Sequence, residues 1–218
     1  MQRREFTQRL ATAGLGGSLA LTLPGLAAAQ GAPREGTHYV RLPTPAPVSP
    51  PAGKKFEVVE FFSYSCVHCF AFEPILEQWI KRLPPDVGFR HVPVGFMAAH
   101  QLHQRMFYAL EETGQLAAMH RRVFNAIHQQ GQRLARESDI VAFVKANGGD
   151  GAKVEAAMKG FGVATKSNRA KQLTDAYKID GTPSLGVHGR FYTAASLAGG
   201  HERAIAVADF LIQQVRQG

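Results

Sequence analysis

The segment from residue 56 to residue 83 does most to restrict the fold of this 218-residue chain. Its first part, FEVVEFF, is rich in β-branched and aromatic residues and predicts a strand. From residue 66 onward the apolar side chains recur at helical spacing, which predicts a helix with one buried face. Those side chains are Phe72, Ile75, Leu76, Trp79, Ile80 and Leu83. The strand and the helix meet at the sequence CVHC, which holds Cys66 and Cys69, the two cysteines of the chain.

The pattern that follows predicts a β-α-β unit and then a run of helices. Residues 87–94 (VGFRHVPV) predict the second strand of that unit. Residues 98–170 predict three or four helices, of which the first two end at Gly114 and Gly131 and the third begins at a capping Ser138.

The last part of the chain predicts an α-β-β-α unit. Residues 167–179 predict a helix, residues 181–193 a hairpin that turns at His188-Gly189, and residues 201–217 a closing amphipathic helix. Strands in both halves, with helices between them, place the chain in the α/β class.

The N-terminal residues 1–29 have the pattern of a secretory signal peptide. A basic start is followed by a mild apolar run and by the small residues Ala27, Ala28 and Ala29, which predict cleavage after Ala29. A buried core helix is the alternative interpretation, and four helix-breaking residues argue against it. They are Gly14, Gly16, Gly17 and Pro24. An uncleaved membrane anchor remains open.

The export route and the compartment follow from the same segment. Arg3-Arg4 resembles a twin-arginine signal, but Gln2 stands where Ser or Thr is usual, so the twin-arginine and general secretory routes are both open. Export predicts an oxidising compartment such as the bacterial periplasm. In the exported chain, residues 30–54 predict a short strand and a proline-rich linker.

The chain is basic, with a formal net charge of +8. This charge favours acidic partners or anionic surfaces. Its lysines and arginines are scattered and form no block of the kind that binds nucleic acid, so we expect no nucleic-acid partner.

The two cysteines have three possible uses: a structural clip, half of a metal site, or a redox couple. A disulfide across so short a loop removes little entropy from the unfolded chain, so a clip is a weak explanation. A zinc site usually needs a second pair of ligands. The histidines that could supply one are His68, His91, His100 and His103. We interpret the last two as an exposed start of a helix and predict no metal site.

A redox couple needs a thiolate of low pKa and a second thiol within reach. The start of a helix supplies free N–H groups and the positive end of the helix dipole to Cys66. The dipole alone lowers a pKa by about one unit, so we expect additional hydrogen bonds from Cys69 or His68. A stabilised thiolate makes the corresponding disulfide a stronger oxidant.

Three further residues are candidates for tuning this couple. His68 supplies positive charge or a hydrogen-bond donor beside Cys66, or else is an exposed turn residue without electronic effect. Val67 keeps the surroundings of the sulfur partly dry. Glu60 shares a strand face with apolar residues, which predicts a buried carboxyl that takes up the proton of Cys69. The alternative is an edge residue in solvent. Glu57, on the other face, is expected to be solvated.

Taken together, EFFSYSCVHCFAFEP at residues 60–74, the helical insert and GTPS at residues 181–184 resemble the DsbA family of periplasmic thiol:disulfide oxidoreductases, within the thioredoxin superfamily. The resemblance extends over nearly all of the chain after the linker. It implies a thioredoxin fold with an inserted all-helical domain. Residues 55–97 and 171–218 would form the thioredoxin-like domain, and residues 98–170 the insert.

The resemblance also implies roles for particular residues. These are Cys66 as the attacked sulfur, Cys69 as its buried partner, His68 as the tuner, Glu60 as the buried acid, and Pro183 as a cis-proline that turns Thr182 toward Cys66 and presents backbone groups to substrate. Two features depart from the family pattern. Val67 stands where Pro is familiar, and the lysine that often pairs with the buried acid is replaced by Arg90 or His91.

The activity implied is donation of the Cys66–Cys69 disulfide to reduced, newly exported proteins, with no cofactor besides that disulfide. A quinone-linked membrane oxidase of the DsbB type would reoxidise the dithiol. The alternatives are a reductase or isomerase of the same fold and, from a different class, a periplasmic binding or chaperone module without redox turnover.

Overall fold

Five strands form one mixed sheet in a computed structural model that describes residues 31–218. The strands are β1 (Val40–Arg41), β2 (Phe56–Phe62), β3 (Val87–Pro93), β4 (Ser184–Val187) and β5 (Phe191–Ala194). Their order across the sheet is β1-β5-β4-β2-β3. Only the pair β2 and β3 is parallel, and the other three pairs are antiparallel. The signal peptide predicted for residues 1–29 lies outside the described residues.

Eight helices are present in residues 31–218. They are α1 (Val67–Ile80), α2 (Ala98–Glu112), α3 (Leu116–His128), α4 (Glu137–Ala146), α5 (Gly151–Met158), α6 (Phe161–Ala176), α7 (Ala195–Ala198) and α8 (His201–Gln217). Within this part of the chain, none of the helices has the length and apolar character needed to cross a bilayer. The fold is the expected α/β thioredoxin fold with additional helices between its halves.

Helix α6 and the start of α4 differ from the sequence predictions. The predicted helix 167–179 begins earlier, at Phe161, so the predicted domain boundary after residue 170 falls within α6. The division into a thioredoxin-like domain and an insert remains a prediction. Ser138 does not cap α4: the helix starts one residue before it, and its N-cap is Arg136, whose backbone is extended.

Strand β2 is buried on both faces. Val58 belongs to a core with Trp79 and Leu211, whereas Val59 belongs to a second core with Tyr177. The prediction that Glu57 is solvated is therefore wrong. Its side chain is 0% exposed and its Oε2 accepts a 3.2 Å hydrogen bond from Arg90 Nε. Helices cover both faces of this sheet, so alternation along β2 does not separate a wet face from a dry one.

The predicted hairpin turns at His188 and Gly189, as expected. Both residues have positive φ, 46° and 66°, as the central positions of a type I′ turn require, and Arg190 N donates a 3.0 Å hydrogen bond to Val187 O across the turn. A side chain at Gly189 would collide with the carbonyl oxygen of Ala46, which lies in the proline-rich segment. Ala46 N in turn donates a 2.8 Å hydrogen bond to Gly189 O, so the segment packs directly along the hairpin.

Candidate active site

Cys66 occupies the N-cap of α1, at the point where β2 has ended and the helix begins. Its backbone is extended, with φ −85° and ψ 115°, and its Sγ accepts a 3.3 Å hydrogen bond from Cys69 N. One turn along the helix, Cys69 is 0% exposed, whereas Cys66 is only half-buried. Both are free thiols in this structure. Only the first sulfur is therefore open to an incoming group.

The two thiols also differ in pKa. A hydrogen bond from the Cys69 thiol is the largest cause that lowers the pKa of Cys66, to about 5, against the opposing effect of burial. Thr182 and the backbone N–H groups of Cys69 and His68 add to the lowering. Burial raises the pKa of Cys69 far above its usual range. Near neutral pH, Cys66 is the thiolate and Cys69 the thiol.

The segment 181–184 lies against the first cysteine. The peptide bond between Thr182 and Pro183 is cis, as the resemblance implied. Cys66 Sγ lies 3.3 Å from Thr182 O, and the sulfur donates to this carbonyl when Cys66 is protonated. A cavity of about 470 Å³ opens beside this contact and is lined by His68, Gly181, Thr182, Pro183, Tyr192 and His201, among others. The cavity gives an extended peptide room next to the exposed sulfur.

The two residues inside the CVHC loop face outward. Val67 is 58% exposed and occupies the first position of α1. His68 is also exposed and lines the cavity. Its backbone N–H contributes to lowering the pKa of Cys66. The hydrogen bond expected from Cys69 is thus present, and the main chain of His68, not its imidazole, assists it.

Glu60 lies on β2 and is buried, with 1% of its surface exposed. Register pairs it with His91 of β3, and His91 Nδ1 lies 2.7 Å from Glu60 Oε2. Of the two partners considered from sequence, His91 is the one that Glu60 uses. Burial raises the pKa of Glu60 although the His91 hydrogen bond opposes the rise. The carboxyl interacts electrostatically with both cysteines.

Sequence reasoning missed three buried polar residues near this carboxyl: Tyr64, Glu73 and His120. Tyr64 Oη lies 2.7 Å from His120 Nδ1, and His120 Nε2 lies 3.3 Å from Glu73 Oε1. Glu73 follows Cys69 by one helical turn, a spacing that could have identified it. His120 comes from α3 and has no local signal.

A thioredoxin fold with Cys-x-x-Cys at the start of its first long helix, set against a cis-proline segment, defines a thiol:disulfide oxidoreductase. A family model described as the DSBA-like thioredoxin domain matches residues 57–205, and the chain belongs to this DsbA family.

Relatives and solved structures agree with this assignment. The chain is 40% identical over 181 residues to the thiol:disulfide interchange protein DsbA of Azotobacter vinelandii, a match that covers 83% of this chain and 84% of that one. It is 38% identical to the Bordetella pertussis protein of the same name over the whole length of both. The crystal structure of Pseudomonas aeruginosa DsbA superposes with a TM-score of 0.79 at 37% identity, over 84% of this chain and 94% of that one. A Xylella fastidiosa DsbA gives the same TM-score at 28% identity, over 85% of this chain and 99% of that one.

Proposed function

We propose that this oxidoreductase works as a periplasmic dithiol oxidase that donates its Cys66–Cys69 disulfide to reduced, newly exported proteins. The observation that carries the proposal is the position of Cys66 at the N-cap of α1, where Cys69 N donates to its Sγ at 3.3 Å and the pKa of its thiol is lowered to about 5. A thiolate that is stable in the reduced enzyme favours reduction of the enzyme's disulfide, so the oxidised enzyme gives up its disulfide readily.

The reaction proceeds through two thiol–disulfide exchanges. A substrate thiolate attacks Cys66 Sγ, the Cys66–Cys69 bond breaks, and Cys69 leaves and is protonated. A second substrate thiolate then attacks the substrate sulfur of the mixed disulfide and releases Cys66 as a thiolate. The substrate loses two electrons, which the enzyme holds as its dithiol. These two exchange reactions need no redox group besides the disulfide.

The surrounding residues have supporting roles in the proposal. Thr182 and Pro183 bind an extended substrate segment through their backbone groups, next to the attacked sulfur. Val67, His68 and Glu60 tune the couple: the first two border Cys66, and the negative charge of Glu60 disfavours a thiolate at Cys69. A quinone-linked membrane oxidase of the DsbB type takes the electrons from the dithiol and closes the cycle.

The test is direct transfer of the disulfide. The oxidised protein is incubated with a reduced, unfolded substrate that has two cysteines, and the loss of substrate thiols is followed. We expect one disulfide transferred per enzyme, and none from the Cys66→Ser variant. Absence of transfer by the unmodified protein would refute the oxidase proposal.

The direction of the reaction is measured separately. Equilibration with glutathione gives the reduction potential of the Cys66–Cys69 couple. We expect a reduction potential of about −120 mV, which is typical of a strongly oxidising dithiol protein. A reduction potential of about −270 mV, the value of thioredoxin, would instead identify the protein as a reductase.

A further inference from the structure

Three side chains of the type that binds metals come together from α1, β3 and α3. They are Glu73, His91 and His120, and one ligand atom of each lies within 4.8 Å of the other two. Glu73 and His120 are buried, and His91 is partly buried. We propose that they form a binding site for one divalent transition-metal ion, with Zn²⁺ as the best match to two imidazoles and one carboxylate.

The imidazoles are already oriented as metal ligands usually are. His91 Nδ1 is held by Glu60 Oε2 at 2.7 Å, and His120 Nδ1 by Tyr64 Oη at 2.7 Å. Because each ring has its Nδ1 engaged by a protein partner, Nε2 is the nitrogen that each would offer to a metal. Histidine ligands in metalloproteins characteristically have such a partner on the second nitrogen, which fixes the ring and its tautomer.

Two buried polar atoms of the cluster have no hydrogen bond. His120 Nε2 and Glu73 Oε2 are buried and make no hydrogen bond. His120 Nε2 does lie 3.3 Å from Glu73 Oε1, without the alignment of a hydrogen bond. Two ligands at about 2.0–2.1 Å from a tetrahedral zinc ion are separated by about 3.3 Å. A cation bound between these atoms would satisfy groups that are otherwise costly to bury.

Charge and access also suit a dication. The carboxylates of Glu77 and Glu111 line the same cavity, but each is paired with a basic residue, Arg121 at 2.8 Å and Lys166 at 2.7 Å. Glu73 and Glu60 are the acidic groups that pair with the two histidines. A cavity of about 490 Å³ borders Glu73, His91 and His120. It supplies a path for the ion and room for water as a fourth ligand, which a three-ligand zinc site leaves open.

No metal site was expected from the sequence because the two cysteines lack the second pair of ligands that a zinc site usually needs. The proposed ligands do not include either cysteine, and the site does not depend on disulfide transfer. Two residues connect it to the dithiol: Glu73 follows Cys69 on α1, and Glu60 bonds His91 and interacts electrostatically with both sulfurs.

The test is metal binding by the oxidised protein prepared without a histidine tag. Oxidation removes the thiolates, which would themselves bind zinc. Calorimetric titration with ZnCl₂ is expected to show one saturable site, and Co²⁺ a visible absorption band of nitrogen and oxygen ligation. The variant His120→Asn keeps a polar atom near Tyr64 but loses Nε2, and we expect its Zn²⁺ affinity to fall about 100-fold.

The matched control is His100→Asn, which removes a histidine of α2 outside the cluster and should bind Zn²⁺ as the unmodified protein does. Near-ultraviolet circular dichroism without metal establishes that each variant is folded. If His120→Asn does not fold, Glu73→Gln removes a ligand with little change of shape and should show the same loss. No saturable Zn²⁺ binding up to about 1 mM, or unchanged affinity in a folded cluster variant, would overturn the proposal.

Discussion

Cys66 Sγ and the carbonyl oxygen of Thr182 lie 3.3 Å apart although 116 positions separate the two residues in the chain. This contact joins the start of α1 to the segment that leads into β4. It places the more exposed sulfur beside Thr182, which lines a cavity, while Cys69 is buried. The difference in access between the two sulfurs leads to the first prediction.

We expect the Cys69→Ser variant to accumulate mixed disulfides with substrate proteins through Cys66. This variant has no disulfide of its own, so its Cys66 thiolate attacks a disulfide of an oxidised substrate protein, forms the mixed disulfide and releases one substrate thiolate. Without Cys69 the enzyme has no second thiol to displace the bound substrate. Non-reducing electrophoresis and mass spectrometry of the adducts measure the result. The reciprocal variant Cys66→Ser is the control, and adducts on Cys69 in comparable yield would contradict the prediction.

The second prediction is the ionisation of Cys66 itself. Thiolate absorbance at 240 nm in the reduced protein should titrate with a pKa of about 5. Because the hydrogen bond from the Cys69 thiol is the largest cause of this low pKa, Cys69→Ala should raise it. The oxidised protein, which has no thiol, is the blank. A single transition near the ordinary thiol pKa of about 8.5 would show that α1 does not stabilise the thiolate.

Linkage converts this pKa into the third prediction, which concerns stability. The pKa of Cys66 is lowered on folding, so its contribution is fully present above the unfolded pKa of about 8.5 and is lost as pH falls through about 5. The reduced protein should therefore gain stability relative to the oxidised protein as pH rises from 5 to 8.5. Urea unfolding of both forms at three pH values measures the difference. A difference that is constant with pH would contradict the expectation.

The fold around the cysteines was predictable because its signals are local. Strand β2, helix α1 and the capping position of Cys66 all follow from residues within one short segment. Glu57 was wrongly predicted to be solvated. Alternation of side chains along a strand identifies a solvent-exposed face only where one face of the sheet meets water. Helix α6 begins at Phe161, between Gly160 and Gly162, whereas the sequence pattern predicts its start at residue 167. A side chain at Gly162 would lie 2.5 Å from Oε2 of the exposed Glu112, so a larger residue there would displace that carboxylate.

The candidate site was predictable to the same extent. The sequence located both cysteines, Glu60 and the Thr182-Pro183 segment, because a dithiol at a helix start and a later Thr-Pro form a combined pattern. It did not identify His120 as a neighbour of His91, whose ring centroid lies 4.6 Å from its own. Only the packing of α3 against the sheet and α1 creates that contact, and no spacing within either segment encodes it.

The fourth prediction concerns Val67, where the family pattern has Pro. Val67 is the first residue of α1, a position that tolerates Pro because its N–H has no partner within the helix. Cys66 before it has φ −85° and ψ 115°, a conformation that a following Pro favours. We therefore expect Val67→Pro to keep the fold and to leave the pKa of Cys66 close to 5, by absorbance titration. A rise toward the ordinary thiol value would show that the Val67 N–H stabilises the thiolate.

The fifth prediction concerns the buried pair Glu57–Arg90. Glu57 is 0% exposed. Its Oε2 accepts a 3.2 Å hydrogen bond from Arg90, and its Oε1 makes no hydrogen bond. Replacing Arg90 with Met leaves a buried carboxylate without its counter-charge, which should lower the free energy of unfolding by about 3 kcal/mol or more. The double variant Glu57→Leu/Arg90→Met removes both charges and should lose much less. Urea denaturation of the two variants tests this difference. If Arg90→Met alone changes the free energy of unfolding by less than about 0.5 kcal/mol, Glu57 does not depend on Arg90 and the interpretation of this pair is wrong.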